Sequence, residues 1–242
     1  MPKAIDSCRG TACSHEIIVV DDGSSDGTSA WLAAQPDLIA IRTENWSKDW
    51  AVNTGFARAR GQYVRFLDSD DWLEPGANDA QIAIARETGA DIVLGDYRTF
   101  DDRTGASTDA TLVANDDFIA QQLGEGEYSH YSAFLFRREF IRDIPHRPEF
   151  LAVDDRMFVL EAALRHPRLA TYRGTVLVHR HHDRGRLQAP NTMQAEIPIV
   201  RAEHAIYTKV MAQLQERNEL TERRKRALAG LLWPLAHRMA RH

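Results

Sequence analysis

EIIVVDDGSSDGT at residues 16–28 and YVRFLDSDDWLEPG at residues 63–76 decide how this chain folds. Each begins as an apolar run and breaks into acidic residues followed by Gly, Ser or Pro, the pattern of a buried strand that ends in a polar loop. Working outward, the pattern predicts strands at residues 16–21, 38–43, 62–67 and 91–94. Helices are expected at 28–35, 48–60 and from Pro75 to about Thr88, with Gly61 and Gly89 at their ends. Strands alternating with helices pair in parallel through crossovers, so the fold expected is α/β: an open, mostly parallel, Rossmann-like sheet flanked by helices.

Beyond residue 96 the pattern loosens. Residues 97–129 are polar and read as surface structure with a single helix at about 116–123, followed by a strand at 133–136, a helix at 154–166 and a last strand at 175–179. Residues 191–217 and 221–241 read as two further helices, with Pro234 interrupting the second. The domain expected at residues 1–190 thus carries a helical extension at 191–242.

Composition removes several classes of function. A formal net charge of −5 argues against nucleic acid as a partner, because phosphate binding needs an excess of Lys and Arg. Residues 221–242 reverse the sign locally, with six Arg or Lys against Glu222. That basic helix has two readings: a solvated helix packed by Leu228, Leu231, Leu232 and Leu235, or an amphipathic contact with an anionic membrane surface. No run approaches the roughly 20 apolar residues of a spanning helix, and residues 1–14 lack the apolar core of a secretory signal. The location expected is cytoplasmic, with a peripheral place at the inner face of the plasma membrane if the basic helix binds there. Cys8 and Cys13 have no second pair for zinc and read as reduced thiols.

The chemistry is concentrated at the strand ends. Ligands of an open parallel sheet bind beyond the carboxyl ends of its strands, and both Asp21-Asp22 and Asp68-Ser69-Asp70-Asp71 lie at such ends. Asp68 and Asp70, where the chain turns, can converge on a hard divalent cation such as Mn²⁺ or Mg²⁺, whose remaining shell is filled by water and phosphate. Taken singly, each cluster also reads as a solvated loop or a helix cap; two on one rim favour a site. Asp154 and Asp155 open a predicted helix, where a carboxylate also serves as a cap. Arg180 and His181 follow the last strand in HRHHD (179–183) and are weaker candidates; Trp72 reads either as a stacking ring or as a rim aromatic.

With these motifs in hand, EIIVVDDGSSDGT (16–28), NTGFARARGQYVRFLDSDDWLEPG (53–76) and VDDRMFVLEAALR (153–165) resemble, in order, the motifs of family 2 glycosyltransferases, which have the GT-A fold. The resemblance covers residues 3–185. It implies that Asp21 or Asp22 contacts the base and ribose of a nucleotide-sugar donor, with Asn45 in the same binding set. It implies that Asp68 and Asp70 are the outer positions of a DxD motif, binding ribose and the metal-diphosphate, and that Asp155 is the catalytic base. The activity implied is inverting, metal-dependent transfer of a sugar, UDP-linked by family frequency, to a saccharide or lipid-linked acceptor in polysaccharide biosynthesis.

The chain departs from the family pattern in three places. Residues 3–15 resemble only the tail of the family's first helix, so the strand before it is expected to be lacking: either the sequence is a fragment or has a mispredicted start, or another segment or subunit covers the gap. Ser47 and Val52 replace a Gly and an Arg, although Asn45 and Asn53 are retained. The Gln-x-x-Arg-Trp motif of processive relatives is absent, which favours transfer of a single sugar. An inactive, truncated glycosyltransferase-like binding module is therefore the competing reading. A phosphatase using Asp68 and Asp70 fits poorly, because Asp71-Trp72 stand where such a pair needs Thr or Val.

Overall fold

The computed structural model describes residues 1–113, 115–126, 130–182 and 193–240. Asp183, Arg241 and the domain boundary expected near residue 190 lie outside the described residues. The chain forms two compact units that interleave in sequence. The first comprises Met1–Thr111, Ser129–His146 and Arg168–His181; the second comprises Leu112–Tyr128, Arg147–Pro167 and His182–His242.

The first unit opens with α1 (Pro2–Arg9). The apolar run that follows forms β1 (Ile17–Asp22), then come α2 (Thr28–Ala33) and β2 (Leu38–Thr43). β1 and β2 pair in parallel with Ile17 opposite Leu38 and Asp22 opposite Thr43, which brings Asp21 beside Arg42 at the carboxyl end. Among the described residues β2 is the sole strand partner of β1. Against β1 packs α3 (Lys48–Arg58).

A second sheet follows, built from β3 (Tyr63–Val64), β4 (Trp72–Leu73), β5 (Ile92–Asp101), β6 (Ser107–Ala110), β7 (Leu135–Arg137) and β8 (Leu169–His181), with α4 (Ala77–Thr88) packed on β8 and β5. Its order is β3-β7-β5-β8-β4, with β6 beside β5. Only β5 and β8 run parallel in it, so the α/β sheet is mixed in direction among the described residues. Gly95 sits where these two long strands slip register; a Cβ there would lie 2.3 Å from a Val176 methyl, so only glycine fits. Val176, Leu177, Leu73 and Ala133 are buried at the centre, and each large apolar side chain so placed contributes about 1.5–3 kcal/mol.

Several predicted elements differ in extent. The strand expected at 62–67 is a two-residue ladder, because β7 reaches only Tyr63 and Val64. β5 runs on through Asp101 and β8 spans Leu169–His181, well past the apolar cores that predicted them. Their polar extensions pair with each other, and β5 also turns into the β6 hairpin, so backbone hydrogen bonds rather than apolar alternation extend the strands.

The second unit is largely helical: α5 (Phe118–Gln122), α7 (Asp154–Ala163), α8 (Met193–Glu216) and α9 (Glu222–Ala240). The short α6 (Arg138–Ile141) belongs to the first unit. Met157, Phe158 and Leu160 of α7 are buried, as are Ile206, Val210 and Leu214 of α8 and Leu228 and Leu235 of α9. α9 continues through Pro234, so that proline does not divide it as expected. No described helix is long and apolar enough to cross a membrane. Cys8 and Cys13 are free thiols.

Candidate functional site

The carboxyl end of β1 organises a polar loop through its two aspartates. Asp21 is buried; one carboxylate oxygen accepts the Ser24 amide at 2.9 Å, and the other accepts the Ser29 hydroxyl and the Arg42 guanidinium, the latter at 2.7 Å. The hydrogen bonds from Ser24 and Ser29, with the Arg42 charge, lower its pKa to about 2. Asp22 accepts the Thr43 hydroxyl at 2.7 Å and the Trp46 and Ser47 amides at 2.9 Å each. The carboxylate thus fixes the start of α3. Asn45, in the same loop, is held at φ 56, and Gly23 packs so closely that a Cβ would lie 2.8 Å from the Asn45 nitrogen. Asn45 is therefore set by the backbone that Asp22 holds.

The next residue along α3 joins this loop to the second acidic cluster. Lys48 Nζ lies 2.9 Å from one Asp68 carboxylate oxygen and 3.2 Å from the other. Burial alone would raise Asp68, but Lys48, with His130 and His179, holds it below the usual carboxylate range. Asp70 is half-buried beside it.

Asp71 has a different environment from its neighbours. β4 pairs antiparallel with β8, Trp72 opposite Val178, and this drives Asp71 against His179 and Arg180. Its side chain belongs to a residue only 2 % exposed. One carboxylate oxygen accepts the Arg180 amide at 2.9 Å, and the other is buried with no hydrogen-bond partner. Burial, with the charges of Asp68 and Asp70, pushes Asp71 up to about 7. Ligand atoms of Asp71, His130 and His179 all lie within 4.8 Å of one another, so an orphaned buried carboxylate oxygen sits among donors suited to a divalent cation.

The remaining candidates fall as follows. The Arg180 guanidinium is bound bidentately by Asp102, at 2.9 and 2.8 Å from Nε, which ties it to a carboxylate of the same unit. His181 is exposed at the end of β8, its ring 4.8 Å from that of His179. Trp72 carries the Lys3 ammonium 3.1 Å over its ring and meets Phe100 edge-on, so the cation already covers one face. Asp154 and Asp155 lie in the first turn of α7, in the second unit; Asp154 is buried and Asp155 half-buried, its carboxylate accepting the Arg156 amide at 2.7 Å. Lys48, Asp71 and His130 were not predicted. Asp71 was visible as the fourth letter of DSDD, whereas His130 lies in a polar stretch with no local pattern to mark it.

Comparison with known proteins accords with this geometry. A family model described as glycosyl transferase family 2 matches residues 1–145. Over 232 residues the chain is 29% identical to the putative glycosyltransferase EpsH of Bacillus subtilis, covering 87% of this chain but 63% of that protein. It is 31% identical over 99 residues to an undecaprenyl-phosphate 4-deoxy-4-formamido-L-arabinose transferase of Proteus mirabilis, 38% of this chain and 30% of that one. Among solved structures, TarS of S. aureus in complex with UDP-GlcNAc superposes with a TM-score of 0.68 at 18% identity, covering 96% of this chain and 67% of that one. The mannosyltransferase PcManGT of Pyrobaculum calidifontis, in complex with GDP-Man and Mn²⁺, gives 0.58 at 19%, covering 99% and 74%. The structural likeness concerns the fold.

Proposed function

The chain belongs to glycosyl transferase family 2, and from that premise we propose that it is an inverting, metal-dependent glycosyltransferase. The observation that carries the reading is the link between the two acidic clusters: Asp22 fixes Ser47, and the adjacent Lys48 holds Asp68. One loop and one helix start thus join the strand ends where nucleotide and diphosphate are expected to bind. The donor proposed is a UDP-sugar, in keeping with TarS, whose complex contains UDP-GlcNAc. The acceptor is a saccharide or a lipid-linked saccharide, the latter in keeping with the undecaprenyl-phosphate transferases.

Asp21 and Asp22 shape the pocket for base and ribose, with Asn45 presented on the loop that Asp22 anchors. Asp68 and Asp70 face the diphosphate end and, with Asp71, are the carboxylates that fit a cation. A divalent ion held by these carboxylates would supply the charge that offsets what develops on the leaving diphosphate. Lys48 adds a fixed positive charge at the same place. Asp155 is assigned as the base that takes the proton of the acceptor hydroxyl as it attacks the anomeric carbon. A peripheral membrane contact through the exposed ring of Trp233 on α9 suits a lipid-linked acceptor.

Titrating UDP-GlcNAc calorimetrically with and without Mn²⁺ tests the reading. Metal-dependent binding, lost in Asp70→Ala, is expected. Binding indifferent to both the metal and the substitution would sink the enzyme and leave a binding module.

A further inference from the structure

The acidic clusters stand at the carboxyl ends of their strands, and a concentration of the opposite charge lies at the other end of the larger sheet. A surface cavity of about 400 Å³ opens there, with Gln62, Tyr63, Arg86, Gly89, Arg137 and Arg168 in its wall. We infer that it is a binding site for a phosphate-bearing anion of diphosphate size, held by the guanidinium groups of Arg86, Arg137 and Arg168. The site is independent of the proposed transfer chemistry.

Sheet order brings these residues to one rim. Tyr63 opens β3 and pairs with Arg137, the last residue of the antiparallel β7. Ile92 opens β5 opposite Leu169, the first residue of β8, so Arg168 arrives at the same edge. Arg86 lies in the last turn of α4 and Gly89 just past its end, where the chain runs into β5. The acidic loop is at the far end of the same strands: Phe100 of β5 pairs with Arg180, whose amide is bound by Asp71. From Ile92 to Phe100 the strand spans roughly 26 Å at about 3.3 Å per residue. A ligand in the cavity is therefore distinct from one at Asp68–Asp71.

The cations here outnumber their partners. Arg137 is fixed by Asp91, one oxygen of which accepts its Nε at 2.9 Å, while the other accepts the Arg168 amide at 2.7 Å. That carboxylate is thus fully engaged. The Arg168 guanidinium donates to the Gly89 carbonyl at 3.1 Å and meets no carboxylate among the described residues. Arg86 is exposed and has no ion pair among the described residues. The carboxyl end of α4 favours a nearby cation, but Arg168 on the Gly89 carbonyl already supplies one. Two guanidinium groups are left without counter-charge on a chain whose formal net charge is −5. Like charges gathered in this way repel one another, and an arriving anion relieves the repulsion.

The wall is set by the fold. Gly89 has φ 64, and a Cβ there would lie 2.7 Å from Arg168 Nη1, so the glycine keeps open the space that the guanidinium occupies. The Tyr63 ring packs on the buried cluster of Ala85, Ala90, Val93 and Leu135, which fixes the floor between α4 and β7. Chemistry then selects the ligand. Guanidinium forks bind phosphate oxygens in pairs and stay charged at every working pH, and the cavity falls in the range of small-molecule sites, roughly 300–1,000 Å³. Two uncompensated cations match the charge of a diphosphate better than that of a single carboxylate. The group recognised is the same whether a soluble molecule or a lipid headgroup carries it.

The test is calorimetric titration of the intact chain with inorganic pyrophosphate, a chelator being present to remove divalent ions, alongside sedimentation with vesicles containing phosphatidic acid. One pyrophosphate per chain is expected, weakened at least about fivefold by Arg86→Ala and by Arg168→Ala and unchanged in Lys48→Met, whose charge serves the other rim. Both arginines are exposed, and circular dichroism checks that the variants fold. Vesicle binding lost in the same two variants, without pyrophosphate binding, would identify a lipid headgroup as the source and support the site equally. Binding of either probe that both substitutions leave unchanged, or no binding of either, overturns the inference. Metal-dependent binding of UDP-GlcNAc should survive both substitutions, so a failure here leaves the proposed transferase standing, and the loss of that binding in the unaltered chain leaves this site standing.

Discussion

Lys48 Nζ lies 2.9 Å from Asp68 Oδ1 and bridges the first turn of α3 to the second acidic cluster. Val52 stands where the family resemblance expects a cation, and in the proposed site Lys48 takes that part. Lys48→Met should raise the donor KM about tenfold, about 1.4 kcal/mol of binding, with kcat changed much less. Steady-state kinetics with the UDP-sugar varied measures this; an unaltered KM would show that the pair only braces the loop.

Asp155 is expected to act on the proton of the acceptor. Asp155→Asn keeps the shape and removes the base, and general-base catalysis is worth about 10²–10⁴ in rate. The expected result is a loss in kcat of at least about 100-fold with donor KM preserved. Buried Asp154 provides the contrast: Asp154→Asn should lower the melting temperature, while Asp155→Asn should not.

Acid stability reports on Asp21. Its pKa in the folded chain is depressed to about 2 by Ser24 and Ser29 with Arg42. A depressed carboxylate favours the fold above its unfolded pKa and loses that contribution as pH falls from about 4 toward 2. In Asp21→Asn the melting temperature should be lower at neutral pH, and its decline over that window shallower. Parallel curves for the two proteins would refute the assignment.

The second unit offers a stability test that does not touch the site. Arg224 and Asp117, with side chains 12% and 15% exposed, pair at 2.9 Å, and Asp117 also accepts the Ala120 amide as the N-cap of α5. Asp117→Ala removes both contacts and should cost about 1–2 kcal/mol, since a lost cap costs about 1 and Arg224 keeps Glu219, 3.7 Å away, as a second partner. Urea denaturation, with Arg224→Ala completing a double-mutant cycle, separates the two terms.

For α9, Arg223, Arg224, Lys225 and Arg238 each pair with carboxylates of their own unit, so much of the positive charge is already neutralised. Trp233, 70% exposed, and Met239 are large apolar side chains that α9 leaves open to solvent, and Trp233 is the one on which the proposed membrane contact is tested. Trp233→Ala should leave stability within about 0.5 kcal/mol and reduce sedimentation with anionic vesicles. Equal sedimentation of both proteins would remove the membrane contact from the proposal.

Much of this was legible in the sequence because apolar β-branched runs, ending in Asp and Gly, fix a strand and its loop locally. Residues 16–28 and 63–76 are of that kind, and Asp21, Asp22 and Asp68–Asp71 fall where such runs end. The extensions of β5 and β8 carried no signal, because their polar halves are held by each other's backbone. His130 was hidden for the same reason: it lies before β7 and is brought to Asp71 only by the sheet order, in which β5 and β8 stand between β7 and β4, not through any local spacing. The contact of Lys48 with Asp68 had no signal either, because the two lie 20 residues apart in sequence.

The length of β8 bears on how the chain comes off the ribosome. Leu169–His181 pairs with both β5 and β4 and buries Val176 and Leu177 at the centre of the sheet. Until about residue 181 has been synthesised, β5 and β4 lack a strand at their shared flank, and their ladder hydrogen bonds and apolar faces stay uncovered. Such late, non-local closure slows folding and exposes edges to other chains. Nascent chains stalled before Leu169 should therefore depend on chaperones far more than those released after His181, and substitutions in β8 should reduce yield before they reduce activity.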